Sequence, residues 1–112
     1  MPQAKPFVGT HTIANGASLS DAVEVGESVV VGFQLPTIDN AAITFQGSHD
    51  GVTYQNVFDS AQTEVTIVAS TGARFVAAPA ALNGLPFIKV RSGTSGVPVN
   101  QTAQRTIQVI AK

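Results

Sequence analysis

The sequence lacks cysteine and tryptophan altogether. Without cysteine the chain can form neither disulfide bonds nor thiolate metal sites, and because small secreted modules often rely on such bonds, an intracellular origin is favoured. No run of residues is long and apolar enough to span a bilayer, and the opening MPQAKPFVGT lacks the apolar segment of a signal peptide. We therefore expect neither export nor a membrane partner.

Charged residues are also scarce. They make up 12% of the 112 residues, about half of the fraction found in ordinary soluble domains, whereas 44% of the residues are hydrophobic. A surface that becomes buried against a partner would have this composition, and so would a sheet-rich protein that carries hydroxyl groups where helices carry Lys and Glu. No basic cluster is present, and because phosphate binding requires a concentrated positive field, we expect no nucleic-acid partner.

The few charges are unevenly distributed along the chain. Residues 1–64 contain seven acidic residues and one lysine, a net charge of −6, whereas residues 65–112 contain five basic residues and no acidic one. A sandwich interleaves the two halves in space, so this asymmetry does not by itself predict a surface with opposite poles.

Apolar residues alternate with polar ones in most segments, with a period of two instead of the helical 3.6. In SVVVGFQL the alternation predicts that Val29, Val31, Phe33 and Leu35 share one face of a strand. Half-buried strands of antiparallel sheets show this pattern, because successive side chains point to opposite faces. The same alternation occurs in AITFQGS, EVTIV, FIKVRSG and RTIQVIAK, and shorter candidate strands are Thr10–Ala14, Ala22–Val25, Val52–Val57 and Arg74–Ala77.

Dipeptides that favour turns, such as Asn-Gly and Asp-Gly, separate these strands. About eight or nine short strands with this spacing predict one all-β domain over residues 10–112, an antiparallel β-sandwich, with a small barrel as the alternative. One helical turn is expected within Ala77–Leu82. Residues 1–9, with two prolines, predict an extended N-terminal arm, and Gly93–Gln104 predicts a polar, flexible loop.

The stretch SHDGVTY places a histidine, a carboxylate and hydroxyl groups close together. Asp50-Gly51 between alternating segments predicts a hairpin with a type I′ turn, in which glycine accommodates positive φ. A catalytic role for His49 would require a nucleophile and an orienting acid, and the spacing of His11, His49 and Asp50 matches no metal motif. We therefore predict a turn beside a surface histidine, with no catalytic residue, no metal site and no cofactor.

The strand FIKVRSG raises a separate question. Its alternation places Phe87, Lys89 and Arg91 on the face opposite the predicted core. This face is either solvated or part of an interface.

Two longer segments, ITFQGSHDGVTYQNVFD and PFIKVRSGTSGVPVNQTAQRTIQVIA, show a recognisable order of elements. A strand ends in S-x-D-G and an aromatic residue follows three positions later. Then come a strand and loop of the form (F/Y)-(I/L)-K-(V/L)-R-S-G-T-S, a Pro-Val or Pro-Ala pair, and a closing Q-R-T-(I/L) strand. Over residues 28–112 the chain resembles the head decoration proteins, also called cement or staple proteins, of short-tailed bacteriophages. S-x-D-G hairpins also occur in discoidin-like carbohydrate-binding sandwiches.

The resemblance implies a jelly-roll-like β-sandwich without enzymatic activity. It implies a structural virion protein, made in the host cytoplasm, that binds the outer capsid surface and bridges major capsid protein subunits against internal DNA pressure. A homo-oligomer, dimer or trimer, is compatible with this role. The alternative is a carbohydrate-binding module of a phage tail or receptor-binding component, with Tyr54 or Phe87 as the ring that contacts the sugar. The sequence itself supplies the candidate capsid-contacting residues in the arm and the loop: Pro2, Lys5, Pro6, Phe7, Thr94, Val97, Pro98 and Asn100.

Overall fold

The computed structural model describes residues 7–39 and 41–112 of the chain. These residues form nine β-strands and one short 3-10 helix (Ala80–Leu82). The strands, in chain order, are β1 (Phe7–Ile13), β2 (Leu19–Glu24), β3 (Val30–Leu35), β4 (Ala41–Ser48), β5 (Gln55–Asn56), β6 (Ile67–Ser70), β7 (Arg74–Ala77), β8 (Phe87–Ser92) and β9 (Arg105–Ala111).

The strands form two antiparallel sheets that pack as a sandwich. The first sheet has the strand order β1-β9-β3-β7, and the second has the order β2-β8-β4-β5, with β6 also paired to β4. The predicted antiparallel β-sandwich is therefore confirmed, whereas the jelly-roll connection stays a prediction. β1 pairs with β9 from Phe7 opposite Ala111 to Ile13 opposite Arg105, so residues 7–9 belong to a sheet although the sequence assigned them to the arm.

The core lies between the two sheets. Phe33 from β3 and Phe45 from β4 stack at its centre, with ring centroids 5.4 Å apart. Burying one apolar side chain of this size stabilises the fold by about 1.5–3 kcal/mol, so these inward positions supply most of the driving force for packing the sheets. The aliphatic side chains that are almost fully buried are Ile13, Leu35, Ile43, Leu82, Ile88, Val90, Ile107 and Val109.

In SVVVGFQL the prediction of the inward face is correct for Phe33 and Leu35, which are buried, but not for the two valines before them. Val29 and Val31 are 44% and 40% exposed, and Val30 is buried instead. The cause is a β-bulge between Val30 and Gly32, which shifts the register of β3 against β9. Because an extra residue in one strand reverses the alternation beyond it, the prediction is wrong for Val29 and Val31.

Two segments form less strand than the alternation predicts. β6 begins at Ile67, so that Val65 is buried outside any strand, and of the candidate Val52–Val57 only Gln55–Asn56 pairs with β4. The 3-10 helix confirms the helical turn predicted within Ala77–Leu82. Among the described residues, no helix has the length and hydropathy to cross a membrane.

Candidate interaction surfaces

The stretch SHDGVTY forms a turn in which the polar side chains bind backbone groups. The Ser48 hydroxyl accepts hydrogen bonds from the N–H groups of Asp50 and Gly51 at 3.2 and 2.9 Å, and it donates to the Asp50 carboxylate at 2.9 Å. The same carboxylate oxygen accepts from the N–H groups of Val52 and Thr53 at 2.8 and 3.0 Å. These bonds, with the Val52 N–H contributing most, lower the pKa of Asp50 to about 2. The predicted turn is confirmed.

The geometry of this turn differs from the prediction. A type I′ turn needs positive φ at both central residues. Gly51 has a φ of 78°, but among the described non-glycine residues only Gln62 has a positive φ. β4 ends at Ser48 and β5 begins at Gln55, so residues 49–54 form a longer loop between them. The type I′ assignment is wrong because the Asp50 carboxylate, and not a two-residue backbone turn, organises the loop.

The two histidines occupy opposite environments. His49 is exposed, with its Nε2 4.0 Å from the Asp50 carboxylate, as predicted for a surface histidine. His11 is fully buried; its Nδ1 lies 3.2 Å from both the Ser20 hydroxyl and the Asp21 carbonyl oxygen, and its Nε2 has no hydrogen-bond partner among the described residues. Burial lowers the pKa of His11. No group of three or more side chains that could hold a metal ion occurs in residues 7–39 and 41–112.

The first half of the predicted loop Gly93–Gln104 is a tight, braced turn. Gly93, with a φ of 92°, forms a β-bridge with Pro98, and the Thr94 N–H donates to the Val97 carbonyl oxygen at 3.1 Å. The Thr94 hydroxyl in turn accepts a bond from the Val97 N–H at 3.0 Å. Val97 is 71% exposed, and Pro98 and Asn100 are also exposed, whereas Thr94 is half-buried. Three of the four loop candidates therefore project from a fixed base.

The second half of this loop is attached to the body of the sandwich. Gln101 is buried, and its side-chain oxygen accepts bonds from the Asp39 N–H at 2.8 Å and the Arg105 guanidinium at 3.0 Å. The Asp39 carboxylate accepts a bond from the Thr102 N–H at 2.8 Å and lies 3.2 Å from Arg105. The Thr102 N–H is the main cause of the lowered pKa of Asp39. A loop that the sequence predicts to be flexible is thus extensively hydrogen-bonded.

The arm candidates Pro2, Lys5 and Pro6 lie outside the described residues, and of Phe7 only the backbone is described. Phe7 pairs with Ala111 at the end of the first sheet opposite to the Gly93–Gln104 loop. The seven residues of β9 separate these two ends by about 20 Å at the usual rise of a strand. Of the arm candidates, Phe7 therefore lies at the end of the first sheet opposite to the loop candidates.

The surroundings of Arg91 show whether the outward face of the strand FIKVRSG is solvated or part of an interface. The side chain is buried, with its guanidinium 3.4 Å from the Glu64 carboxylate and 2.6 Å from the Asn56 side-chain oxygen. Glu64 also accepts bonds from the Ser95 N–H at 3.2 Å, and so it braces the loop that carries Val97. At Arg91 the face is neither solvated nor free for a partner, because the chain itself covers it.

Comparisons with family models, with curated proteins and with solved structures gave no match. No family is assigned to the chain on this basis.

A surface depression with a volume of about 410 Å³ lies beside the SHDGVTY turn. It lies between β5 and the segment around the 3-10 helix, with Ala81 and Leu85 on one side. Gln55, Asn56 and Phe58 line the other side, and the Phe58 ring is 47% exposed. The two rings considered from the sequence are less available: Tyr54 is half-buried with Lys89 Nζ 4.3 Å from its ring centre, and Phe87 is half-buried against Gly51.

Sequence reasoning missed His11, Gln101 and the pairing of Arg91 with Glu64. For His11 a signal was available, because His11 has the same parity as Ile13 and therefore points inward. For Gln101, Arg91 and Glu64 no local signal existed, since their partners come from segments distant in sequence.

Proposed function

We propose that the chain is a structural virion protein that binds the outer surface of a phage capsid and bridges neighbouring major capsid protein subunits. The observation that carries this proposal is the braced loop with exposed Val97 and Pro98, which lies at the end of the sandwich opposite to Phe7, with the length of β9, about 20 Å, between the two ends. A bridging protein needs two separate contacts on a rigid body, and two well-separated ends of one sandwich support this role. The resemblance of residues 28–112 to decoration proteins points to the same role.

The proposal includes a jelly-roll-like connection of the strands. β1, β3, β7 and β9 belong to the first sheet, and β2, β4, β5, β6 and β8 belong to the second, so the chain crosses between the sheets at most connections. Jelly rolls are double-sheet folds that recur in viral capsid and lectin domains. The strand order supports this fold assignment.

The N-terminal residues can contribute through their backbone. An extended segment that adds to the edge of a neighbouring sheet gains main-chain hydrogen bonds whatever its side chains are. Pro2 and Pro6 pre-set φ, which lowers the conformational entropy lost on docking. A dimer that contacts two sites on the shell would gain avidity on the order of 10²-fold.

The direct test is co-sedimentation of the purified protein with undecorated phage capsid shells. We expect saturable binding, and a protein that stays in the supernatant would refute the proposal. Deletion of residues 1–6, or Val97→Asp, should weaken binding without changing the thermal midpoint of unfolding. Val68→Asp is the matched control, because Val68 is also a strongly exposed valine but lies on β6.

A second candidate function is carbohydrate binding at the depression beside β5. The observation that favours it is the exposed Phe58 ring next to the amide groups of Gln55 and Asn56, since saccharide sites combine an apolar ring with a few polar groups. A glycan array tests it, with Phe58→Ala as the variant that should abolish any signal. A signal that survives in Phe58→Ala would remove this candidate.

A further inference from the structure

Asparagine followed by glycine occurs twice in the chain, at Asn15-Gly16 and at Asn83-Gly84. The three other asparagines precede residues that carry a Cβ. A glycine leaves its backbone nitrogen unshielded, because no side chain stands between that nitrogen and the amide group of the asparagine before it. At such a pair the asparagine side chain can lose its amide group by reaction with its own main chain.

The two pairs are alike in exposure and in the conformation of their glycines. Asn15 and Asn83 are both exposed, and so are the glycines that follow them. Gly16 has a φ of 83° and Gly84 a φ of 89°. A Cβ built on either glycine would meet nothing within 4 Å. Exposure and crowding therefore do not distinguish the two pairs.

The main chain at Asn15-Gly16 is hydrogen-bonded to Gln101. The Gly16 N–H donates to the Gln101 carbonyl oxygen at 2.8 Å, and the Ala17 carbonyl oxygen accepts from the Gln101 N–H at 2.9 Å. The Ala17 N–H also donates to the Ala14 carbonyl oxygen at 3.0 Å. Gln101 is itself 1% exposed. The glycine nitrogen that would have to react is thus the donor of a short bond to a fixed residue.

The main chain at Asn83-Gly84 is held less tightly. The Asn83 N–H donates to the Ala80 carbonyl oxygen at 3.0 Å, at the end of the 3-10 helix. The Gly84 N–H has no hydrogen-bond partner among the described residues. The Leu85 N–H donates to the Leu82 carbonyl oxygen at 3.3 Å, beyond the usual range of about 2.7–3.2 Å. The peptide group between Asn83 and Gly84 can therefore turn at the expense of one weak bond.

The reaction requires such a rotation. Asn83 has a φ of −65° and a ψ of 132°, an extended conformation in which the Gly84 nitrogen is turned away from the Asn83 side chain. Rotation about the Cα–C bond of Asn83 brings this nitrogen to the side-chain carbon Cγ, and glycine tolerates the backbone angles that result. Exposed segments open locally at a free energy far below that of global unfolding, so the rotation does not require the sandwich to unfold.

We propose that Asn83 is a site of spontaneous deamidation in the folded protein, and that the hydrogen bonds to Gln101 protect Asn15 from the same reaction. The Gly84 nitrogen loses its proton to hydroxide and attacks Asn83 Cγ. A bond forms between these two atoms, the bond from Cγ to the side-chain nitrogen breaks, and ammonia leaves with a proton taken from water. The product is a five-membered succinimide ring.

Water then opens this ring at one of its two carbonyl carbons. Opening at Cγ leaves aspartate, and opening at the main-chain carbon leaves isoaspartate, in which the main chain runs through the side-chain carboxyl carbon. Water and hydroxide are the only co-reactants. Either product changes the formal net charge of the chain from −1 to −2. Residues 75–88 contain no charged residue, so the new carboxylate is the first charge in this segment.

The test follows both sites in one sample of the full-length folded protein. The protein is incubated at pH 8, and tryptic cleavage after Arg74 and Lys89 separates the peptide with Asn83 from the peptide with Asn15. Mass spectrometry then measures the conversion of each asparagine over time. Asn83 should react at least about fivefold faster than Asn15, because the reaction at Asn15 must first open the hydrogen bonds to Gln101.

The same incubation in guanidinium chloride is the control for the fold. In the unfolded chain both pairs are exposed Asn-Gly sequences without fixed hydrogen bonds, so their rates should agree within about twofold. The matched variants are Asn83→Gln and Asn15→Gln, because the longer side chain would have to form a six-membered ring, which forms more slowly. In ion-exchange chromatography the more acidic form should accumulate in the unsubstituted protein and in Asn15→Gln, and at least about fivefold more slowly in Asn83→Gln.

Three outcomes would overturn this assignment. If Asn15 reacts as fast as Asn83 in the folded protein, the hydrogen bonds to Gln101 do not protect it. If Asn83 reacts in guanidinium chloride but stays unchanged in the folded protein, its extended conformation prevents the reaction. If the two rates differ equally in the folded and the unfolded protein, the neighbouring side chains and not the fold cause the difference. None of these measurements involves capsid binding, so this inference and the proposed function fail separately.

Discussion

The stability of the protein should fall in mild acid because of His11. Burial lowers the pKa of this imidazole from its ordinary value of 6.5, and the Asp21 carbonyl group and carboxylate only partly offset the effect. In the unfolded chain the imidazole takes up a proton near pH 6.5, whereas in the folded protein it stays neutral at that pH. The unfolded state then binds more protons, so the free energy of unfolding decreases as the pH falls below 6.5.

The size of this effect follows from the linkage between proton binding and folding. One proton of difference gives a slope of about 1.4 kcal/mol per pH unit. Because the unfolded imidazole titrates around pH 6.5, the loss of stability between pH 7 and pH 5 is at most ~1.9 kcal/mol. The pKa values of Asp39 and Asp50 are lowered from 3.8, so these two carboxylates change their charge below this window.

His11→Leu removes the titrating group without stranding its neighbour. The Ser20 hydroxyl still donates to the Asp21 carbonyl oxygen at 2.7 Å and still accepts from the Val90 N–H at 2.9 Å. The substitution also removes Nε2, a buried polar atom without a partner among the described residues, and such an atom costs about 1–3 kcal/mol. We therefore expect the variant to be at least as stable as the unsubstituted protein at pH 7.

Urea unfolding followed by circular dichroism at pH 7, 6 and 5 measures the free energy of unfolding and its change with pH. The unsubstituted protein and the control His49→Gln, at the exposed histidine, should lose up to ~1.9 kcal/mol across this range, and His11→Leu should lose almost none. If the free energy of unfolding of His11→Leu changes with pH as it does in the unsubstituted protein, the buried neutral imidazole of His11 does not cause the loss of stability in mild acid.

Three further substitutions and titrations test the loop, the buried ion pair and the turn. Gly93→Ala should lower the free energy of unfolding, measured with urea, by ~2 kcal/mol or more. The reason is that φ is 92° at this position and an added Cβ would lie 2.5 Å from the Val97 carbonyl oxygen. A loss below about 0.5 kcal/mol contradicts this prediction. Glu64→Gln should lower the free energy of unfolding by about 3 kcal/mol, because it leaves the buried Arg91 guanidinium without its carboxylate. The double variant Glu64→Leu/Arg91→Met should lower it by less, because neither partner of the ion pair remains. An equal or larger loss in the double variant contradicts this. In an NMR titration the Asp50 carboxyl should have a pKa of about 2, so that the turn's hydrogen bonds weaken only in strong acid; a midpoint near about 4 contradicts this.

The alternation of apolar residues predicts the strands well where the hydrogen-bonded ladder is unbroken. β9 pairs with a strand on each side and its inward residues Ile107 and Val109 are fully buried, as the pattern in RTIQVIAK predicts. The pattern fails in β3, where three consecutive valines fit either register. Only the bulge opposite β9 decides that Val30 faces inward, and a bulge is set by the neighbouring strand.

The candidate site is harder to predict because its contacts are not local. Arg91 faces away from the core by its parity, and the sequence therefore leaves it either solvated or in an interface. It is buried because Glu64 and Asn56, 27 and 35 residues earlier, reach across the outer side of the second sheet. Gln101 is buried for the same kind of reason, since it accepts a hydrogen bond from the distant N–H of Asp39. The exposed positions of Val97, Pro98 and Asn100 required only local turn chemistry, and there the expectation of a surface loop agrees with the structure.

The uneven distribution of charge along the sequence matches the positions of the late strands β8 and β9 in the two sheets. Both arginine ion pairs in the described residues join the acidic first part of the chain to its basic second part, Asp39 to Arg105 at 3.2 Å and Glu64 to Arg91 at 3.4 Å. The two arginines lie on β8 and β9, and each of these strands is inserted between two earlier strands, β8 between β2 and β4 and β9 between β1 and β3. Residues 1–64 alone would carry a net charge of −6 and would lack one inner strand of each sheet, β9 in the first and β8 in the second. The late strands therefore supply both an inner ladder of each sheet and the arginines that pair with the earlier acidic residues.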